Sequence, residues 1–113
     1  GMKKVTAVIR SERVGAVRRA LEQVNCPGLT IIQVDGHGNQ RGSVQKILGE
    51  EYKVGILPKT KIELIVKDSD VLGVAEAITA AARTGQIGDG KIFVSPVEEV
   101  IRIRTGEKGE GAL

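Results

Sequence analysis

Four short segments of this 113-residue chain, Lys3–Ile9, Leu29–Val34, Thr60–Lys67 and Ile92–Ser95, carry β-branched and other apolar residues at strand spacing, with two helix-spaced stretches between them. In the first segment Val5, Ala7 and Ile9 share one face, and Thr6 and Val8 the other. The helical stripes are Val14, Val17, Leu21 and Val24, then Val71, Val74, Ala75, Ile78 and Ala82. Ser11 reads as the cap of the first helix and Asp68 to Asp70 as the cap of the second. Asn25, Pro27 and Gly28 end the first helix, the second ends near Gly85, and Pro96 stops the last strand. The order strand, helix, strand, strand, helix, strand predicts one α+β domain over residues 1–113, a ferredoxin-like βαββαβ sandwich with an antiparallel sheet and both helices on one side. Two helices cover only one face. The strands nevertheless carry apolar residues on both, with Leu29 and Ile31 against Ile32 and Val34, and Ile62, Leu64 and Val66 against Ile65. The uncovered face therefore predicts association through the sheet.

Three stretches fall outside this framework. Gly36 to Pro58 holds five glycines and no clear periodicity, which predicts a long flexible loop. In Val100 to Arg104, Ile101 and Ile103 alternate with Arg102 and Arg104. That alternation predicts an extra extended strand in the C-terminal extension 96–113, with two guanidinium groups on one face, and it equally suits an edge strand protected by charge. The bend from Arg83 to Val94 packs Gly85, Gly88 and Gly90 around Asp89 and Lys91. Glycines without side chains let an anion approach backbone N–H groups, and Lys91 adds a charge beside them. The same residues would also make a tight Asp-Gly turn feeding a strand.

The charge balance, 17 Lys and Arg against 14 Asp and Glu, is a mild excess that suits an anionic small molecule as well as nucleic acid. One Tyr, one Phe and no Trp provide no stacking platform, which argues against nucleic acid. The lone Cys26 cannot form an internal disulfide, and no apolar run has the length of a membrane span or secretory signal, so a cytoplasmic protein without membrane insertion is expected. Gly1 ahead of Met2 reads as a tag remnant. His37 and Cys26 have no evident catalytic companions, which argues against an enzyme.

The runs MKKVTAVIR, LPKTKIELIV, TGQIGDGKIFV and SPVEEVIRIRTGEKGEGAL resemble the PII signal-transduction proteins, the nitrogen-status sensors, from Met2 to Leu113. The resemblance is most specific in the C-terminal half and weakest between His37 and Ile56. It implies a non-enzymatic homotrimer that binds ATP or ADP with Mg2+ and 2-oxoglutarate and regulates protein partners of nitrogen metabolism through the 36–58 loop. On that resemblance Gly88, Asp89, Gly90 and Lys91 hold the phosphates and ribose, joined by Arg102 and Arg104 across a subunit boundary. Thr30, Leu57 and Ile65 line the base pocket beside Gly28, and Gly38, Asn39 and Gln40 complete the nucleotide set. Gln40 also meets the magnesium held by ATP phosphates, and Gln40, Arg41, Gly42 and Lys59 take 2-oxoglutarate.

Several positions depart from the family pattern. Asn39 stands where relatives carry an arginine near the phosphates, which implies weaker nucleotide binding. Leu48 replaces the loop-tip arginine of ammonium-channel-binding relatives, with Lys46 two residues away, which counts against channel blocking. Tyr52 matches a tyrosine that some relatives carry as a uridylylation target, although Glu50, Lys53 and Gly55 around it differ. Glu50 occupies a position where others have a phosphorylated serine. Two alternatives stay open: a PII-like trimer for another adenylate or bicarbonate, and a ferredoxin-like phosphate-ester hydrolase.

Overall fold

The computed structural model describes the backbone of residues 1–26, 28–37, 44–47, 50–53 and 56–113, and the side chains of 1–26, 28–34 and 58–113. In chain order the elements are β1 (Met2–Arg10), α1 (Val14–Gln23), β2 (Thr30–His37), β3 (Val44–Ile47), β4 (Glu50–Lys53), β5 (Ile56–Lys67), α2 (Val71–Ala82) and β6 (Gly90–Val97). Strands β2, β5, β1 and β6 form one sheet in that order, all pairs antiparallel, and β3 pairs with β4 in a separate two-stranded ladder. This is the expected ferredoxin-like sandwich.

The core follows from the two periodicities. Val5, Ala7 and Ile9 of β1 and Ile62, Leu64 and Val66 of β5 point to one face, where Val17 and Leu21 of α1 and Val74, Ile78 and Ala82 of α2 cover them. Leu21, Ile62, Ile78, Val5 and Val17 are fully buried, each larger side chain contributing about 1.5–3 kcal/mol by leaving water. Asn25 ends α1 in the left-handed region at φ 60, and the amide of Cys26 closes back on the Leu21 carbonyl at 2.9 Å. Among the described residues, no helix is long and apolar enough to cross a membrane.

The face away from the helices is mixed rather than uniformly apolar. The cross-strand register places Val8, Ile65, Ile32 and Phe93 there among Lys4, Lys61, Glu63 and Lys91. Phe93 is 55% exposed and Ile32 39%. The expected patch is thus interleaved with charge.

Several local expectations are corrected. The segment 36–58 is not one structureless loop: β2 continues to His37 and β5 begins at Ile56, paired with it, and β3 and β4 lie between. Backbone pairing can extend a ladder where side-chain alternation fades. Pro96 does not stop β6, which runs from Gly90 to Val97 with Pro96 opposite Lys3. Among the described residues only β1 borders β6, so a residue without an N–H is tolerated on that outer strand. Val100 to Arg104 is not a strand. Ile101 bridges to Lys108, the Arg102 amide bonds the Glu107 carbonyl at 2.8 Å, and Gly106 bonds back to Arg102 at 2.7 Å. Gly106, at φ +74, folds the chain onto itself before a strand can form.

Neither expected helix cap forms. The Ser11 hydroxyl meets that of buried Thr60 at 2.8 Å, and Asp68 pairs with Lys3 at 2.6 Å. Both helices are instead entered through short 3-10 turns, Ser11–Arg13 and Asp68–Asp70, without side-chain cap bonds. Arg13 closes the other end of α2, donating from Nε to the Ala81 carbonyl at 2.9 Å.

Candidate functional site

The bend after α2 is built around Asp89. Its carboxylate accepts the amides of Thr84 and Gly85, each at 2.8 Å, the Thr84 hydroxyl, and Arg10 Nε at 3.1 Å. These donors, Thr84 first, hold the carboxyl well below the usual carboxylate range. Asp89 thus ties the beginning of the bend to its end. Gly85, Gly88 and Gly90 all have positive φ; an added Cβ at Gly85 would meet nothing within 4 Å, but Gly90 is confined by space. A Cβ there would stand 1.7 Å from the Val8 carbonyl oxygen.

Two cations from the sheet grip the same loop. Arg10 and Lys59 are direct cross-strand partners at the end of β1. Arg10 donates a second bond, from Nη2 to the Ile87 carbonyl at 2.8 Å, and the Lys59 ammonium donates to the Gly88 carbonyl. Lys59, whose position after a proline suits a solvated side chain, is only 5% exposed. Burial first, then the Arg10 charge, lower its pKa, while Asp89 and Glu12 oppose the shift. Lys91 follows the loop as an exposed residue of β6, opposite Val8.

A second group of candidates gathers elsewhere. Gly28, Thr30 and Ile65 line one cleft of about 520 Å³, whose wall is completed by Lys4, Glu63, Val100 and Leu113. Arg102 lies toward this cleft: its Nη1 pairs with Glu107 at 3.0 Å and its Nη2 donates to the Leu113 carbonyl at 3.3 Å. Arg104 is exposed in the neighbouring turn. The glycine loop packs at the Ile9–Arg10 end of β1 and the cleft at Lys4, about 20 Å apart at the ~3.3 Å rise of a strand residue. A single chain therefore separates the two halves of the set.

Gly38, Asn39, Gln40, Arg41, Gly42 and Leu48 lie outside the described residues, as do the side chains of Leu57, Tyr52, Lys46, Glu50 and Lys53. Arg10 was not singled out by the sequence, because an arginine at a strand end is ordinarily solvated. Its register opposite Lys59, available only from the pairing, reveals its role.

Comparison with known proteins identifies the family. The family model for nitrogen regulatory protein P-II matches residues 2–107. Over 112 residues the chain is 50% identical to nitrogen regulatory protein P-II 2 of Methanothermobacter thermautotrophicus, covering 99% of this chain and 97% of that protein. It is 51% identical to nitrogen regulatory protein P-II of Azospirillum brasilense, covering 99% and 100%. The crystal structure of Arabidopsis thaliana PII bound to citrate superposes with a TM-score of 0.81 at 40% identity, covering 99% of this chain and 92% of that one. The matched span takes in the whole sheet, both helices and the Asp89 loop, and so the chain belongs to the nitrogen regulatory P-II family, a family of signalling proteins rather than enzymes.

Proposed function

We propose that this chain works in the cytoplasm as a homotrimeric sensor of ATP or ADP and 2-oxoglutarate, reporting nitrogen status to a protein partner through segment 36–58. The observation that carries the reading is the division of the candidate residues into two incomplete halves. The loop Gly88–Lys91 offers glycine backbone and a cation, suited to phosphates. The cleft of Gly28, Thr30 and Ile65 offers a floor for a base, whereas Leu57 lies at the other end of β5, opposite Gly36, and would have to meet the base from another subunit. A second copy placed against the sheet would bring the cleft, Arg102 and Arg104 of one subunit to the loop of another. The exposed Phe93 and Ile32 on the uncovered face supply apolar surface for such a contact.

Among the described residues no cluster of three or more His, Cys, Asp or Glu side chains could hold a metal. Magnesium would accordingly be carried by the nucleotide phosphates, with Gln40 as its protein contact. On this reading Gln40, Arg41, Gly42 and Lys59 meet 2-oxoglutarate, and Gly38 and Asn39 flank the nucleotide. The citrate bound by the Arabidopsis protein supports a polycarboxylate ligand on this fold. The Lys59 ammonium has further N–H donors besides the one given to the Gly88 carbonyl, so pairing with such an acid would link the acid to the loop.

Calorimetry with Mg-ATP, ADP and 2-oxoglutarate, singly and in pairs, tests the proposal. The expected result is 2-oxoglutarate binding only with Mg-ATP, each tightening the other by the same factor. Absence of any adenine-nucleotide binding overturns it.

A further inference from the structure

We infer that Arg10 is a positioning residue for the anion site, one that aims the backbone amides of the glycine loop rather than touching the ligand. The starting point is the cross-strand pair of Arg10 and Lys59. Like charges directly opposite one another on a sheet repel. Here the repulsion is relieved by acceptors from a single loop: Asp89 Oδ1 and the Ile87 carbonyl for Arg10, and the Gly88 carbonyl for Lys59.

This arrangement fixes more than the loop's position. In a planar trans peptide the C=O and the following N–H point in opposite directions, and among the described residues there is no cis peptide bond. With the Ile87 carbonyl turned to Arg10, the amide of Gly88 points away from it. With the Gly88 carbonyl turned to Lys59, the amide of Asp89 points away as well. Two successive N–H groups directed away from the cation pair form the start of an anion-binding nest. The cations thus act on the far side of the peptide planes.

Arg10 carries the larger part because its fork reaches two acceptors at once. Nε takes Asp89 and Nη2 takes Ile87, at 3.1 and 2.8 Å. Asp89 in turn is pinned by Thr84 and Gly85. An ammonium on a flexible stem cannot reproduce that planar pair of contacts. Charge alone would therefore not substitute for Arg10.

The inference rests on the nucleotide reading above for the identity of the anion, and two variants separate the two. In Arg10→Gln and Arg10→Lys, Mg-ATP affinity measured by calorimetry is expected to fall about ten- to thirtyfold in both. In parallel, ¹H–¹⁵N spectra of the ligand-free variants should show shifted and faster-exchanging amides at Gly85, Gly88 and Asp89, with the core amides of Val17 and Leu21 unchanged. If Arg10→Lys binds Mg-ATP as tightly as the parent, the residue acts by charge and the positioning role is overturned. Unchanged loop amides in Arg10→Gln overturn it too. Should the parent fail to bind any adenine nucleotide, the functional reading fails, and the ligand-free spectra alone decide whether Arg10 sets the loop.

Discussion

Replacing Gly90 by alanine is the sharpest test of how the glycine loop is joined to the sheet. Gly90 has φ +104, and an added Cβ would lie 1.7 Å from the Val8 carbonyl oxygen and 2.8 Å from its carbon. Both of those atoms are backbone in the central strand, so no side chain can swing aside. Relief requires β6 to lift from β1 at the Ile9–Gly90 pair. Holding alanine at a left-handed dihedral costs about 1–2 kcal/mol, and forcing a methyl into a filled position costs about 1–3 kcal/mol more. Gly85→Ala supplies the control, because Gly85 shares a positive φ of +86 but has nothing within 4 Å of the added atom. Only the dihedral term, about 1 kcal/mol, applies there. Urea unfolding of both variants at one protomer concentration measures the difference, which should be about 1–3 kcal/mol in favour of Gly85→Ala. Equal destabilisation, or a loss below about 0.5 kcal/mol for Gly90→Ala, would refute the reasoning.

Three further outcomes are expected. Lys91→Ala and Arg104→Ala should each weaken ATP binding by about 1–3 kcal/mol without changing the sedimentation coefficient; parent-like affinity in both refutes the phosphate assignment. Asp89→Asn should lower stability by a constant amount above pH about 4, and that deficit should shrink as the pH falls further, because the parent's carboxylate is held down in the folded state and its contribution is lost on protonation. Acid titrations of parent and variant followed by circular dichroism check this, and a deficit independent of pH contradicts it. Leu21→Ala, at a fully buried site between the helices and the sheet, should cost about 2–5 kcal/mol in denaturant unfolding, and a loss under about 1 kcal/mol would mean the site can collapse around the cavity.

Much of the sandwich was legible because each core element obeys one period. Val5, Ala7 and Ile9, or Val74 and Ile78, can bury themselves only if the segment is a strand or a helix respectively. The segment 36–58 was less legible, since its strands are made by backbone pairing and its side chains do not alternate. Ile101 and Ile103 misled in the opposite way. Their alternation with arginines imitates a strand, but Gly106 turns the chain first, leaving Ile103 99% exposed. At the site, Gly88 to Lys91 could be picked out by composition, whereas Gly28, Thr30 and Ile65 came from family resemblance and fall on one cleft. Arg10 and the burial of Lys59 depend on register, which no local pattern encodes.

The central place of β1 has a consequence for how the molecule comes into being. This strand hydrogen-bonds to β5 on one side and β6 on the other, so Met2 must find both Lys67 and Val97. Such distant pairings close large loops before they are rewarded, which puts folding of sheet-rich topologies in the millisecond-to-second range rather than the microseconds of helical bundles. During synthesis from the N-terminus, β1 emerges early and waits. Until β5 arrives, Val5, Ala7 and Ile9 have only α1 to shelter them, and until β6 arrives the second edge of β1 is an open template for a foreign strand. Because β6 begins at Gly90, the ribosome delivers the glycine loop and the strand that seals this edge as one piece, and the loop docks on Arg10 and Lys59 in the same step that removes the aggregation hazard.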